Sequence, residues 1–307
     1  MSLDADLLLD RRRLKRRLAL WRVLAVVGFA AVVLALVGRG TGRIGAPIAR
    51  VNVHGLITED TRLLDAVTAL ANRSSVKAVI VDIDSPGGTV SGGETLRAAL
   101  AYVAGKKPVV AVMHGTAASA GYMVATAAER IFAREGTLTG SIGVILQTGE
   151  VSGLLGKLGI SAEAITSGPL KDQPSLTKPL SPEGRQVLHG IVEDMYEQFV
   201  ALVAEGRHMD PARVRELGDG RPYTGRQALT LGLVDAMGGE IEAKAWLHEK
   251  HGLAEDAAVR DVRLGNSYEW LGQRFTGLLD WYAPGLRSLS PGAWAVWRGD
   301  IGDAYNP

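Results

Sequence analysis

The chain has 307 residues, 47% of them apolar, a formal charge of +1 and no cysteine. That length holds one large domain with extensions, and the apolar fraction is enough to fill a core. The balanced charge gives no reason to expect a nucleic-acid partner, and the lack of cysteine excludes a disulfide framework and a thiol nucleophile.

Residues 1–22 are basic, with Arg11, Arg12, Arg13, Lys15, Arg16, Arg17 and Arg22 ahead of an uncharged apolar run from Val23 to Val37. As a helix this run is about 23 Å long, short for a full span. It lengthens through Gly38 and through snorkelling of Arg22 and Arg39. The pattern predicts a transmembrane signal anchor over 23–38, with the basic side in the cytoplasm and everything beyond it exported. The rival is a cleaved signal peptide, but Ala35-Leu36-Val37 is a poor cleavage site. Residues 39–47 are glycine-rich and read as a linker.

Strands and helices then alternate. Ile48–Ile57 reads as a strand, Arg62–Arg73 as a helix, Val76–Ile83 as a strand and Glu94–Ala104 as a helix. Val109–Met113 is the next strand and Tyr122–Ala128 the next helix. Repeated βαβ units imply an α/β fold with a mostly parallel sheet. Ser181-Pro182-Glu183 opens a long helix: a serine N-cap, proline in the first turn and a carboxylate at the positive dipole end. Its stripe of Leu188, Ile191, Val192, Met195, Tyr196, Phe199 and Val203 has helical spacing. The domain runs from 48 to 252. The tail 253–307 holds Trp270, Trp281, Trp294 and Trp297, a surface for the parent domain, for a neighbouring subunit or for a membrane interface.

Three places carry chemistry. Gly115-Thr116-Ala117-Ala118-Ser119-Ala120-Gly121-Tyr122 sets one serine among small residues at a strand-to-helix turn. There a substrate backbone can approach, and free helix N–H groups can meet a developing anion. The plainer reading of Ser119 is a helix cap. Ser85-Pro86-Gly87-Gly88 ends another strand, where two glycines can aim N–H groups into a cleft, or simply turn the chain. A serine nucleophile also needs a proton acceptor. None of the six histidines lies in an acid–base motif, and His114, five residues upstream on an extended strand, would be about 15 Å from Ser119. It reads as a strand-end residue with a backbone or solvent partner. Lys171, in the loop Ser167-Gly168-Pro169-Leu170-Lys171-Asp172, is the alternative base; the plain reading of any lysine is a solvated side chain. No acidic or histidine cluster has metal-ligand spacing, and no cofactor is expected.

Five segments together make a resemblance. They are Asp82–Gly88, Ala117–Tyr122, Thr139–Val144, Ser167–Asp172 and the stretch from Tyr223-Thr224-Gly225-Arg226-Gln227-Ala228 to Gly232-Leu233-Val234-Asp235. In this order the chain resembles the single-repeat form of the signal peptide peptidase A family, serine–lysine peptidases that share their fold with Clp proteases and crotonases. The resemblance implies repeated ββα units, Ser119 as nucleophile, Lys171 as general base and Ser141 as a hydroxyl beside the lysine amine. It also implies an oxyanion hole from the Gly87-Gly88 loop, through the Gly88 N–H, and from the Ala120 N–H. Ala120 stands where many relatives carry glycine, so its methyl could narrow the cleft. The implied activity is hydrolysis of apolar peptides, such as cleaved signal peptides, on the periplasmic or extracytoplasmic side of a bacterial inner membrane. A homo-oligomeric ring is implied too, with the lysine of one protomer completing its neighbour's site. A protease for stomatin-like membrane proteins and an inactive scaffold of the same fold are the alternatives.

Overall fold

The computed structural model describes residues 21–22, 24–29 and 48–262, and the first two stretches are helical. The expected anchor at 23–38 lies outside these residues except for 24–29. The linker at 39–47 and everything beyond 262 lie outside them entirely. Among the described residues no helix is long and apolar enough to cross a membrane.

The body opens with β1 (Ile48–Ile57), α1 (Thr61–Leu70), β2 (Ala78–Gly88), α2 (Val90–Ala104), β3 (Val109–Ala118) and α3 (Ala120–Ala125). It continues with β4 (Arg130–Ala133), β5 (Leu138–Gly140), α4 (Ser152–Lys157), α5 (Pro182–Arg207) and α6 (Pro211–Leu217). β6 (Pro222–Thr224), α7 (Gly225–Thr230), β7 (Ala236–Met237), α8 (Glu240–His251) and β8 (Val259–Asp261) complete it. The sheet runs β6-β5-β3-β2-β1-β8, with β4 pairing β3 and β7 beside that path. Every pairing is parallel except β5 with β6.

The central strands are buried on both faces, which is why they read as unbroken apolar runs rather than alternating ones. Val79, Val81, Ile83, Ala111 and Met113 pack with the buried residues of α1, α2 and α3. Ile80, Val110, Val112 and Phe132 pack with Ala243 and Leu247 of α8 in a second cluster. Tyr122 of α3 is fully buried, and its hydroxyl donates to the Leu233 carbonyl at 2.8 Å. That bond pins the short helix to the chain that follows α7.

Among the boundaries that differ from expectation, two move for a tertiary reason and one through a local cap. β3 does not stop at Met113 but continues to Ala118, because Thr116, Ala117 and Ala118 pair with Leu138, Thr139 and Gly140 of β5. α2 starts at Val90 rather than Glu94, with the Thr89 hydroxyl accepting the Gly92 N–H at 3.1 Å. The sheet passes the domain boundary expected at 252: Val259, Arg260 and Asp261 pair with Ile48, Ala49 and Arg50. There β8 covers the edge of β1, and the Arg50 Nε donates to Asp261 Oδ1 at 2.6 Å. That bond holds the Asp261 carboxyl below its usual range.

Candidate active site

Ser119 is the first residue past β3 and the N-cap of α3, at φ 52 and ψ −121. Few non-glycine residues adopt such a backbone, and holding it costs about 1–3 kcal/mol. The neighbours impose it. The Ser119 N–H donates to the Gly140 carbonyl at 2.9 Å, and the Ser119 carbonyl accepts from the Met123 N–H at 2.9 Å. The hydroxyl makes no capping bond. Ser119 thus does not cap the helix with its side chain: among the described residues its Oγ has no hydrogen-bond partner, at a sharp strand-to-helix turn of the kind that presents a nucleophile.

Ser141 comes to the same place from β5. Ala118 pairs with Gly140, so Ser119 and Ser141 leave neighbouring strands at the same level. Ser141 also has positive φ, 48, and its N–H donates to the Arg221 carbonyl at 3.0 Å. Two strained serines therefore sit side by side at the carboxyl end of the sheet, where open α/β sheets bind their ligands.

The glycine loop lies against them, with its two members in different roles. A Cβ on Gly87 would stand 3.0 Å from Ser119 Cβ, and its φ of 123 disfavours any side chain. Gly87 therefore makes room at Ser119. It does not offer an N–H to the cleft, as was expected of it: that group donates to Ser85 Oγ at 3.1 Å, and Ser85 Oγ donates to the Gly87 carbonyl at 3.2 Å. Ser85 is fully buried and satisfies its hydroxyl on the turn that it closes. Gly88 pairs with Ile57. A Cβ there would lie 1.8 Å from the Ile57 carbonyl oxygen, so only glycine lets β1 and β2 meet at this point.

Ala120 opens α3, and its first-turn N–H has no acceptor within the helix. Its methyl does not narrow the cleft. It is 3% exposed and faces Gly93 of α2, whose own Cβ would come within 2.9 Å of it.

Lys171 is the expected site residue that one chain does not bring to the others. It is exposed in a turn, its N–H donating to the Gly168 carbonyl at 3.1 Å. No hydrogen bond or ion pair to its amine is found among the described residues, and none joins it to Ser119 or Ser141. The segment that carries it, from Val144 to Leu180, has one short helix and large exposed apolar side chains, among them Ile145 at 83% and Ile165 at 96%.

One cluster escaped the sequence reading. Asp82 of β2 is buried, and its two oxygens each lie 2.7 Å from an imidazole Nε2, of His54 on β1 and of His114 on β3. His114 thus has a carboxylate partner, not the backbone or solvent partner expected, and it is engaged away from Ser119. Only the register of three strands brings these residues together; the sole trace in the sequence is an aspartate inside an apolar run. Among the described residues no group of three or more histidines or acidic residues is arranged to hold a metal ion.

The model of peptidase family S49 matches residues 101–254, and that of Clp protease matches residues 52–138. The chain belongs to peptidase family S49. It is a serine protease, with the mixed α/β sheet that the Clp protease match accompanies. A protease-named protein of Synechocystis sp. is 41% identical over 217 residues, covering 70% of this chain and 78% of that one. A protein of Enterococcus faecium that bears the name signal peptide peptidase SppA is 38% identical over 205 residues, covering 65% and 59%. Protease 4 of Salmonella typhi is 40% identical over 171 residues, covering 55% of this chain and 28% of its own length. Among solved structures, a point mutant of ClpP1 from Listeria monocytogenes aligns over 65% of this chain and 95% of its own, at 18% identity with a TM-score of 0.43.

Proposed function

We propose that this serine protease is a membrane-anchored endopeptidase with a Ser119–Lys171 dyad. Its substrates are apolar peptides, such as cleaved signal peptides, on the exported side of a bacterial inner membrane. The observation that carries the reading is the strained Ser119, its hydroxyl uncapped, set against Gly87 and level with Ser141. In the reaction, neutral Lys171 takes the proton from Ser119 Oγ as that oxygen bonds to the peptide carbonyl carbon. The Gly88 and Ala120 N–H groups hold the oxyanion, and the lysine passes the proton to the leaving amine. Water, deprotonated by the same lysine, then releases the acyl group from Ser119. Ser141 Oγ accepts a hydrogen bond from the amine and orients it.

The exposure of Lys171 and the bare apolar segment around it favour a second copy of the chain as the place where the dyad is completed, in a homo-oligomeric ring. The seven cations ahead of the run from Val23 to Val37 support the anchor and the orientation. The test is labelling of the full chain in detergent with a fluorophosphonate probe. Modification mapped to Ser119 and absent in Ser119→Ala is the expected result. An unlabelled Ser119 in folded protein would overturn the reading.

A further inference from the structure

Beside the glycine loop is a groove of about 590 Å³ that the chemistry above does not use. One wall is the first turn of α2, which begins two residues after Gly88 and brings Val90 and Glu94. The other is one face of α5, with Val187, Gly190, Ile191 and Asp194. The same turn of α2 touches the nucleophile helix on its far side, through Gly93 and Ala120. The groove is thus one turn of helix away from Ser119.

Two observations point to an occupant. Gly190 lies in the interior of a helix of 26 residues, where glycine is a poor helix former, and a Cβ there would meet nothing within 4 Å. Packing within the chain does not require it, and the missing side chain leaves the groove wider at this point. The second is charge. Each wall carries a carboxylate, Glu94 on α2 and Asp194 on α5, and the lining includes no lysine, arginine or histidine. Asp194 Oδ2 accepts from Gln198 Nε2 at 2.8 Å, which orients it.

We propose that this groove binds a lysine or arginine side chain of the substrate peptide. The inference rests on the reading of the site as peptide-cleaving. The methylene stem lies along Val90, Val187 and Ile191, and the cationic head meets Glu94 and Asp194. Gly190 leaves the width that the stem needs. An apolar peptide with one flanking cation is therefore preferred over one that is apolar throughout.

The test uses the full chain in detergent and two pentapeptides that differ only in lysine or norleucine at one position. The expected ratio of kcat/KM, lysine over norleucine, is roughly tenfold at low salt, shrinking as salt rises, from two partly exposed ion pairs. It falls to about one in Glu94→Gln/Asp194→Asn. Gly190→Ala raises Tm and lowers the same ratio. Equal kcat/KM for the two peptides in the wild type, or a ratio that the double variant leaves unchanged, would overturn the proposal. If neither peptide is cut, the protease reading fails on its own. Fluorescence anisotropy of fluorescein-labelled forms of the two peptides then decides the groove: tighter binding of the lysine form, lost in the double variant, supports it, and equal binding overturns it.

Discussion

If Ser119 and Lys171 divide the chemistry as proposed, each alone should be indispensable. Ser119→Ala and Lys171→Ala are expected to lower kcat/KM for peptide hydrolysis by at least ~10³-fold while leaving Tm within a degree or two. Lys171→Arg should be as inactive as Lys171→Ala, since a guanidinium does not give up its proton. Full activity of Lys171→Ala from pH 6 to 9 would rule out the dyad. Tyr122 supports the same turn from inside the core, and burial pushes its hydroxyl above the ordinary value of 10.0. The sign follows from which state holds the proton. Above pH 10 the unfolded chain releases it and the folded chain keeps it, so the linked stability is whole below pH 10 and declines as pH rises beyond it. In Tyr122→Phe that alkaline decline should be shallower, at the cost of roughly 1–3 kcal/mol at neutral pH from the orphaned Leu233 carbonyl. Denaturant midpoints at pH 7 and pH 11 separate the two effects.

Among the elements, the β1–β2 contact at Gly88 holds the glycine loop against Ser119. A methyl there would stand inside the contact distance of the Ile57 carbonyl, so Gly88→Ala must push the two strands apart. The expected loss is about 2–3 kcal/mol, read as a lower urea midpoint, with a larger loss of hydrolysis than of stability. An unchanged midpoint would mean that the strands part there without strain. α5 shows the opposite case, an element only partly used by its own chain. Its Ser181 cap forms as expected, with Oγ accepting the Gly184 N–H at 2.9 Å. Of the apolar stripe that follows, Phe199 and Val203 are buried, while Ile191 is 41% exposed. The amino-terminal half is left for other contacts, and the groove lies on it.

For the whole molecule, the question is whether the proposed dyad forms within one chain or between copies. If the dyad is shared between copies, mixing Ser119→Ala with Lys171→Ala under subunit exchange should restore a measurable fraction of wild-type hydrolysis. Some interfaces then pair an intact serine with an intact lysine. Sedimentation should show an assembly in which Ile145 and Ile165 are covered. A monomer with full activity, or no recovery in a mixture proven to exchange, would place the dyad within one chain and end the shared-site account.

Local physics made part of this protein legible before its structure. Alternation marked β1, apolar runs marked β2 and β3, Ser181 and Pro182 marked the start of α5, and small residues around Ser119 marked a strand-to-helix turn. Each signal depends on neighbours within a few positions. The tertiary structure decided what lies beyond that range. Only the β3–β5 pairing sets Ser141 level with Ser119 and extends β3 to Ala118. Only the packed turn reveals that Ser85 takes the Gly87 N–H, and only three strands in register seat Asp82 between His54 and His114. The groove between α2 and α5 joins residues about a hundred positions apart. Hydrophobic period and capping chemistry are short-ranged, whereas the site depends on which strand pairs with which, and in what register.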